Sequence, residues 1–148
     1  MANYAENRKA RFDYEILEKY EAGIELLGAE VKSVRGGHMS LEGAFVIIRG
    51  GEAFLVGANV APYQVGNTPA GYDPLRPRRL LLSAKELDYL GGAAERSGLT
   101  IIPLSVYNKG RYLKVSLALA RGKKNQDKRQ SIKKRESARE ISRTLKNF

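Results

Sequence analysis

The 148-residue chain has no cysteine, one histidine (His38) and a net charge of +10. That excludes a disulfide scaffold, a Cys/His zinc centre and a cysteine nucleophile, and any Ser-His-Asp site would rest on His38 alone. The length fits one domain of ordinary size, no apolar run approaches the roughly 18 residues of a membrane span, and the N-terminus does not begin like a secretory signal, so a cytoplasmic protein is expected.

In chain order, Tyr14, Ile16 and Tyr20 alternate with charged neighbours, and Ile24 and Leu26 resume after Ala22-Gly23, a pattern that predicts two strands joined by a hairpin. Leu27, Val31 and Val34 then fall at i, i+4 and i+7, predicting a short helix ended by Gly36-Gly37. Phe45–Ile48 and Ala53–Val56 flank Gly50-Gly51 and predict a second hairpin. Residues 59–79 hold four of the five prolines, two tyrosines and Arg76, Arg78 and Arg79. Such a stretch suits either an RNA-binding loop with stacking faces and phosphate donors or a strand crossover with its tyrosines packed inward.

Ser83-Ala84-Lys85-Glu86 matches a capping box and predicts a helix start; Leu87 and Leu90 supply its apolar stripe, and Gly91-Gly92 weaken its second half by about 1 kcal/mol each relative to alanine. A strand over Leu99–Tyr107, interrupted by Pro103, leads to the turn Asn108-Lys109-Gly110. Leu113, Val115, Leu117 and Leu119 then alternate with Lys114, Ser116 and Ala118, so Lys114 is expected to project outward. At least six strands, two or three flanking helices and no βαβ rhythm predict a mainly β chain built as a closed antiparallel barrel of the oligonucleotide-binding type.

The charge is uneven. Residues 1–120 carry 15 Lys/Arg against 13 Asp/Glu, whereas residues 121–148 carry 11 against 3. A nearly neutral body, 1–120, is therefore expected to bear a basic tail, 121–148, of the kind that attracts a polyanion. The tail's apolar stripe of Ile132, Ala138, Ile141, Leu145 and Phe148 is thin, so the segment is expected to be disordered when free and to become helical on a partner. No phosphate-binding glycine loop occurs, because Arg121-Gly122-Lys123-Lys124 lacks the earlier glycine and the hydroxyl residue. Neither catalysis, a cofactor nor a metal is expected.

Several blocks together carry a resemblance: Asn7-Arg8-Lys9-Ala10-Arg11, Glu21-Ala22-Gly23-Ile24, Gly28 to Arg35, Asp73-Pro74 with Arg78 to Leu82, and Ala120 to Lys124 followed by Asp127-Lys128-Arg129. In this order, from about Asn7 to Arg135, the chain resembles small protein B, the SsrA-binding proteins of bacteria. The resemblance implies binding rather than catalysis. The partners it implies are the tRNA-like domain of transfer-messenger RNA, elongation factor Tu in the delivery complex, and the ribosome, through the decoding centre, message channel and rRNA. The function implied is trans-translation, the rescue of stalled ribosomes with tagging of the nascent chain, by a protein expected to be monomeric when free.

By position, Glu21, Leu81 and Lys114 are implied as RNA-binding. Leu81 is expected to act indirectly from the core, and Glu21, placed at the hairpin, to need donor edges rather than phosphate. Lys32 and Arg35 are assigned to the RNA surface and Glu30 to an ion pair within the fold. Arg8, Lys9 and Arg11 form a basic arm for phosphate, and Gly122, Lys123 and Lys124 a hinge that also meets RNA. In the tail, Asp127, Lys128 and Arg129 match a motif tied to tagging, and Ile132, Arg135, Ile141 and Leu145 complete the segment assigned to the decoding centre. The family often carries histidine where Phe12 stands and tryptophan where Ser137 stands. The rival classes are a structural rRNA-binding ribosomal protein and, more weakly, a membrane-surface protein anchored by the tail.

Overall fold

The computed structural model describes residues 3–63 and 70–123; Lys124, Asp127, Lys128, Arg129, Ile132, Arg135, Ile141 and Leu145 lie outside them. Among the described residues the chain is mainly antiparallel β with three helices. Its elements are β1 (Asn3–Glu6), α1 (Arg8–Asp13), β2 (Tyr14–Ile24), α2 (Gly28–Arg35), β3 (Met39–Ser40), β4 (Phe45–Arg49), β5 (Glu52–Val56), β6 (Asn59–Val60), β7 (Arg78–Leu81), α3 (Ala84–Ser97), β8 (Thr100–Lys109) and β9 (Tyr112–Gly122). The main sheet runs β1-β8-β4-β5-β7-β2-β9, and β9 also pairs with β8, so the hydrogen-bonded order returns on itself. β3 and β6 form a separate two-stranded sheet.

The hairpins follow their turn residues. Gly50 and Gly51 both have positive φ, 61° and 75°, as a two-residue loop of the right twist requires, and they set Arg49 opposite Glu52. Gly110-Arg111 likewise joins β8 to β9 and pairs Lys109 with Tyr112. The capping box forms: the Ser83 hydroxyl accepts from the Glu86 amide at 3.2 Å, and the Ser83 amide donates to the Glu86 carboxylate. α3 continues through Gly91-Gly92 to Ser97. Packing outweighs the local cost there, since Gly91 sits close to Ile48 of β4 and Leu90 is fully buried.

Three expectations are corrected. Ala22-Gly23 is no hairpin: β2 runs unbroken from Tyr14 to Ile24. A register shift between Ile16 and Glu18 leaves Leu17 as an extra residue, and one extra residue turns the following side chains to the opposite face. Tyr14 and Ile16 consequently pack with Ala10, Ile102, Leu104, Ala118 and Ala120 on the face that α1 covers, whereas Tyr20 and Ala22 join the main core. Leu27 does not belong to the apolar stripe of α2; it is the exposed residue at the N-cap. The basic arm is the helix α1, capped by Asn7, whose side-chain oxygen accepts from the Ala10 amide at 3.2 Å and whose amide nitrogen donates to the carbonyls of Leu41 and Pro103.

The core collects Leu41, Leu55, Leu80, Leu90, Ile101, Val106, Val115 and Leu117 between the strands, with Val34 of α2. Each such side chain, fully buried, contributes about 1.5–3 kcal/mol. In β9 this leaves the alternate residues for the outer face: Ala118 and Ala120 under α1, then Ser116 and Lys114 beyond it.

Candidate nucleic-acid interface

The strand registers place four residues in one row across the sheet. Tyr107 of β8 is opposite Lys114 of β9, Lys114 is opposite Gly23 of β2, and Gly23 is opposite Leu81 of β7. The neighbouring row on the same face holds Ser105, Ser116 and Glu21. Glu21, Leu81 and Lys114, dispersed over 94 positions of sequence, are thus brought to one surface. Lys114 lies opposite in parity to the buried Leu113 and Val115, as alternation requires, and is half-buried.

An open groove of about 370 Å³ occupies this surface, with Gly23, Leu81, Lys114, Arg35, Arg111 and Tyr112 among its walls. Leu81 is 47 % exposed, which corrects its placement in the core; the buried neighbour is Leu80. Gly23 gives Leu81 its room, because a Cβ at position 23 would lie 3.3 Å from Leu81 Cβ. Tyr112, 71 % exposed, stands at the other side as an unstacked aromatic face. Arg35 reaches over from α2, where one guanidinium nitrogen donates to the Arg111 carbonyl at 3.1 Å. Three cations around one groove, with Leu81 and Tyr112 exposed among its apolar side chains, suit phosphate oxygens and a base or ribose face.

Glu21 stands in mid-strand rather than at a turn, and its carboxylate is engaged. One oxygen accepts from Lys109 Nζ at 3.0 Å and the other from the Tyr107 hydroxyl. The hydrogen bonds from Tyr107 and then Lys109 hold the Glu21 carboxyl below its ordinary range, while burial and then Glu21 push the Tyr107 phenol up to about 12. Tyr107, Arg111 and Tyr112 carry no site role from sequence, and Lys109 and Gly23 read there as turn residues rather than as site residues. A signal existed: a two-residue loop at Gly110-Arg111 fixes Lys109 against Tyr112, and counting back puts Tyr107 beside Lys114.

α2 divides its charges between surface and interior. Glu30 is fully buried and binds both Arg76 and Arg78, so it is an ion-pair partner within the fold. Arg78, itself fully buried, also donates to the carbonyls of Ala58 and Pro74, and the Tyr72 hydroxyl lies between Glu30 and the Val60 carbonyl. Within the described part of 59–79, then, Tyr72, Arg76 and Arg78 hold the crossover in place. Burial raises the Glu30 carboxyl, but hydrogen bonds from Arg76, the Leu27 amide and Arg78 outweigh it, and the net direction is down. Lys32 is exposed and stands over the Tyr63 ring, 5.8 Å from its centroid, away from the groove walls.

Of the other basic residues, Lys123 lies at the far end of β2, whereas Arg8 sits beside the middle of β8, where Glu6 pairs with Ser105 of the Glu21 row. Tyr14, beside α1, and Gly23, in the groove, are nine residues apart, or roughly 30 Å at about 3.3 Å per residue. Arg8 and Arg11 border an open groove of about 460 Å³ with Asn3, Glu6 and Ser105; Arg8 meets Glu6 at 3.5 Å and Lys9 meets Glu42 at 3.9 Å. Gly122 and Lys123 are not a free hinge. β9 runs to Gly122, which pairs with Tyr14, and the Lys123 amide donates to the Asp13 carbonyl at 2.9 Å. Among the described residues no group of three or more His, Asp or Glu is placed to hold a metal ion, and no helix is long and apolar enough to cross a membrane.

Residues 4–147 match the family model described as SmpB protein. A protein named SsrA-binding protein from Synechococcus sp. (strain JA-3-3Ab) is 54% identical over 142 residues, covering 95% of this chain and 92% of that protein. Another of that name, from Gloeothece citriformis (strain PCC 7424), is 48% identical over 97% of this chain and 92% of its own length. A solved structure described as "tmRNA-SmpB: a journey to the center of the bacterial ribosome" is similar with a TM-score of 0.66 and 47% identity, covering 86% of this chain and 92% of that one.

Proposed function

The chain belongs to the SmpB protein family, and from that premise we propose that it binds the tRNA-like domain of transfer-messenger RNA and acts with it in trans-translation on stalled ribosomes. The observation that carries the assignment of a face is the cross-strand row itself, which sets Lys114 and Leu81 around one groove with Glu21 alongside. Arg35 and Arg111 add phosphate donors, and Tyr112 a stacking face. The chemistry is recognition, with no bond made or broken by the protein.

The finer parts of the proposal follow from the same premise. The body is an oligonucleotide-binding-type barrel, a reading that the returning strand order supports. Arg8, Lys9 and Arg11 meet RNA phosphate from α1, which begins beside the Ser105 end of the Glu21 row, and Gly122 and Lys123 meet it from the far end of the β2–β9 ladder. The ladder carries the chain through Lys123, so the tail is the segment beyond it; with Lys124, Asp127, Lys128, Arg129, Ile132, Arg135, Ile141 and Leu145 it becomes helical in the decoding centre and message channel, where rRNA neutralises its charge. Elongation factor Tu shares the delivery complex, and the free protein is a cytoplasmic monomer.

The test is a competition. Full-length protein is titrated with the tRNA-like domain of transfer-messenger RNA against an ordinary tRNA over a salt series. Preference for the tRNA-like domain that persists as salt rises supports the proposal, whereas equal and steeply salt-dependent binding of both RNAs favours a general rRNA-binding protein.

A further inference from the structure

We propose that Glu21 is a positioning residue, and that Tyr107 and Lys109, which it holds, are the residues of this part of the face that touch RNA; the inference rests on assigning the face to the tRNA-like domain. A bare carboxylate on an RNA-binding surface opposes its own ligand, because phosphate repels it. Glu21 is not bare. Its two oxygens are taken up separately, one by Lys109 Nζ at 3.0 Å and the other by the Tyr107 hydroxyl. Both partners come from β8, so the carboxylate spans β9, where the residue opposite it is Ser116 and the next one across is Ser105. Two short side chains leave that path open.

The donor inventory identifies which groups remain for a ligand. An ammonium carries three hydrogens, and Lys109 spends one on Glu21, leaving two for phosphate oxygens. The Lys109 side chain is 58 % exposed, within reach of an incoming strand. Tyr107 donates its only hydroxyl hydrogen to Glu21, which leaves the phenol oxygen to accept from a ribose 2′-hydroxyl or a base amino group. A phenol with the ordinary value of 10.0 is protonated at neutral pH, so the oxygen holds that role there. Glu21 cancels one charge of the face and in exchange fixes two side chains that would otherwise lose their freedom only on binding.

The test is a mutant cycle in the full-length chain, with the tRNA-like domain as probe and an ordinary tRNA as control. Glu21→Gln is made in the wild-type chain and in a chain carrying both Tyr107→Phe and Lys109→Ala, and thermal unfolding of each variant is read alongside affinity. Glu21→Gln is expected to weaken binding by about tenfold in the wild-type chain, the scale of a lost charge-assisted hydrogen bond, and by less than about twofold in the double variant. Lys109→Ala is expected to lower the salt slope by about one, the signature of one lost phosphate contact, while Glu21→Gln leaves the slope unchanged. A tenfold loss from Glu21→Gln in both backgrounds would overturn the proposal and make Glu21 itself the reader. So would an unchanged slope in Lys109→Ala. Absence of any wild-type preference for the tRNA-like domain would overturn the underlying assignment and this inference with it.

Discussion

Arg78 sets two of its guanidinium nitrogens on a single oxygen of Glu30, Nε at 2.8 Å and Nη2 at 2.6 Å, with both side chains fully buried. Arg76 holds the same carboxylate from the solvent side, so α2 is tied to the crossover leading into β7. Arg35, whose guanidinium lines the groove, is carried on that same helix. The buried cluster therefore fixes the helix that carries Arg35 to the groove, without lining the groove itself.

Glu30→Gln removes the only anion of this cluster and leaves two guanidinium groups facing a neutral amide. The expected loss is about 3–5 kcal/mol of folding stability, the scale for breaking a buried pair by removing one partner. Glu25→Gln, which removes an exposed partner of Arg79 at 3.4 Å, is expected to cost less than about 1 kcal/mol. Urea unfolding of the two variants measures the contrast.

Acid should act through the same carboxylate. The net pKa of Glu30 is lowered from its ordinary value of 4.5, so the unfolded chain binds this proton more readily than the folded one. The corresponding stability is fully present above the ordinary value and is lost as pH falls through the lowered one. Thermal unfolding followed from pH 7 to pH 3 is expected to show the wild type losing more stability than Glu30→Gln across the acid limb, with the two curves parallel above about pH 5.5, a unit over the ordinary value.

Gly23→Ala should perturb RNA binding through its neighbour. The added methyl would meet Leu81 Cβ at 3.3 Å and Cδ1 at 3.4 Å, close enough to displace that side chain within the groove. Affinity for the tRNA-like domain is expected to fall about threefold to tenfold, in keeping with roughly 1 kcal/mol of mild overpacking. In a chain already carrying Leu81→Ala, which removes Cδ1 but keeps the Cβ contact, the same glycine substitution is expected to have a smaller effect, which a binding cycle detects.

Ser83→Ala provides a change that is structural only. It deletes the hydroxyl that accepts from the Glu86 amide at 3.2 Å, and the expected cost is about 1 kcal/mol of stability. α3 takes no part in the groove, so the affinity of the folded protein for RNA is expected to stay at the wild-type value.

What was legible in the sequence was local. The alternation of Leu113 to Leu119 fixes both the core face of β9 and the outward parity of Lys114, and Ser83 with Glu86 marks the start of α3 at the observed residue. The Gly50-Gly51 turn names its own hairpin. The extra residue at Leu17 was not legible, because a bulge reverses parity without any turn residue to announce it; Ala22-Gly23 then imitates a hairpin inside a continuous strand. Leu80-Leu81-Leu82 reads as uniformly apolar and so suggests a core position for Leu81, and only the register against Gly23 shows that Leu81 faces outward. The arginines after Asp73 read as phosphate donors until the fold brings Glu30 beneath two of them, an encounter 46 and 48 positions apart in sequence. Glu21, Leu81 and Lys114 entered through family resemblance, and their proximity is a product of pairing between β2, β7 and β9.

The central claim, that the groove between β2, β7 and β9 is the surface that reads the tRNA-like domain, is tested most directly by comparing full-length wild type with Lys114→Ala and Leu81→Ala. The quantity measured is the ratio of dissociation constants for an ordinary tRNA and for the tRNA-like domain of transfer-messenger RNA. The account predicts a wild-type ratio well above one, reduced by each substitution, with a salt slope smaller by about one in Lys114→Ala. A ratio that both substitutions leave unchanged, in variants that unfold at the wild-type temperature, would contradict it and place recognition elsewhere on the chain.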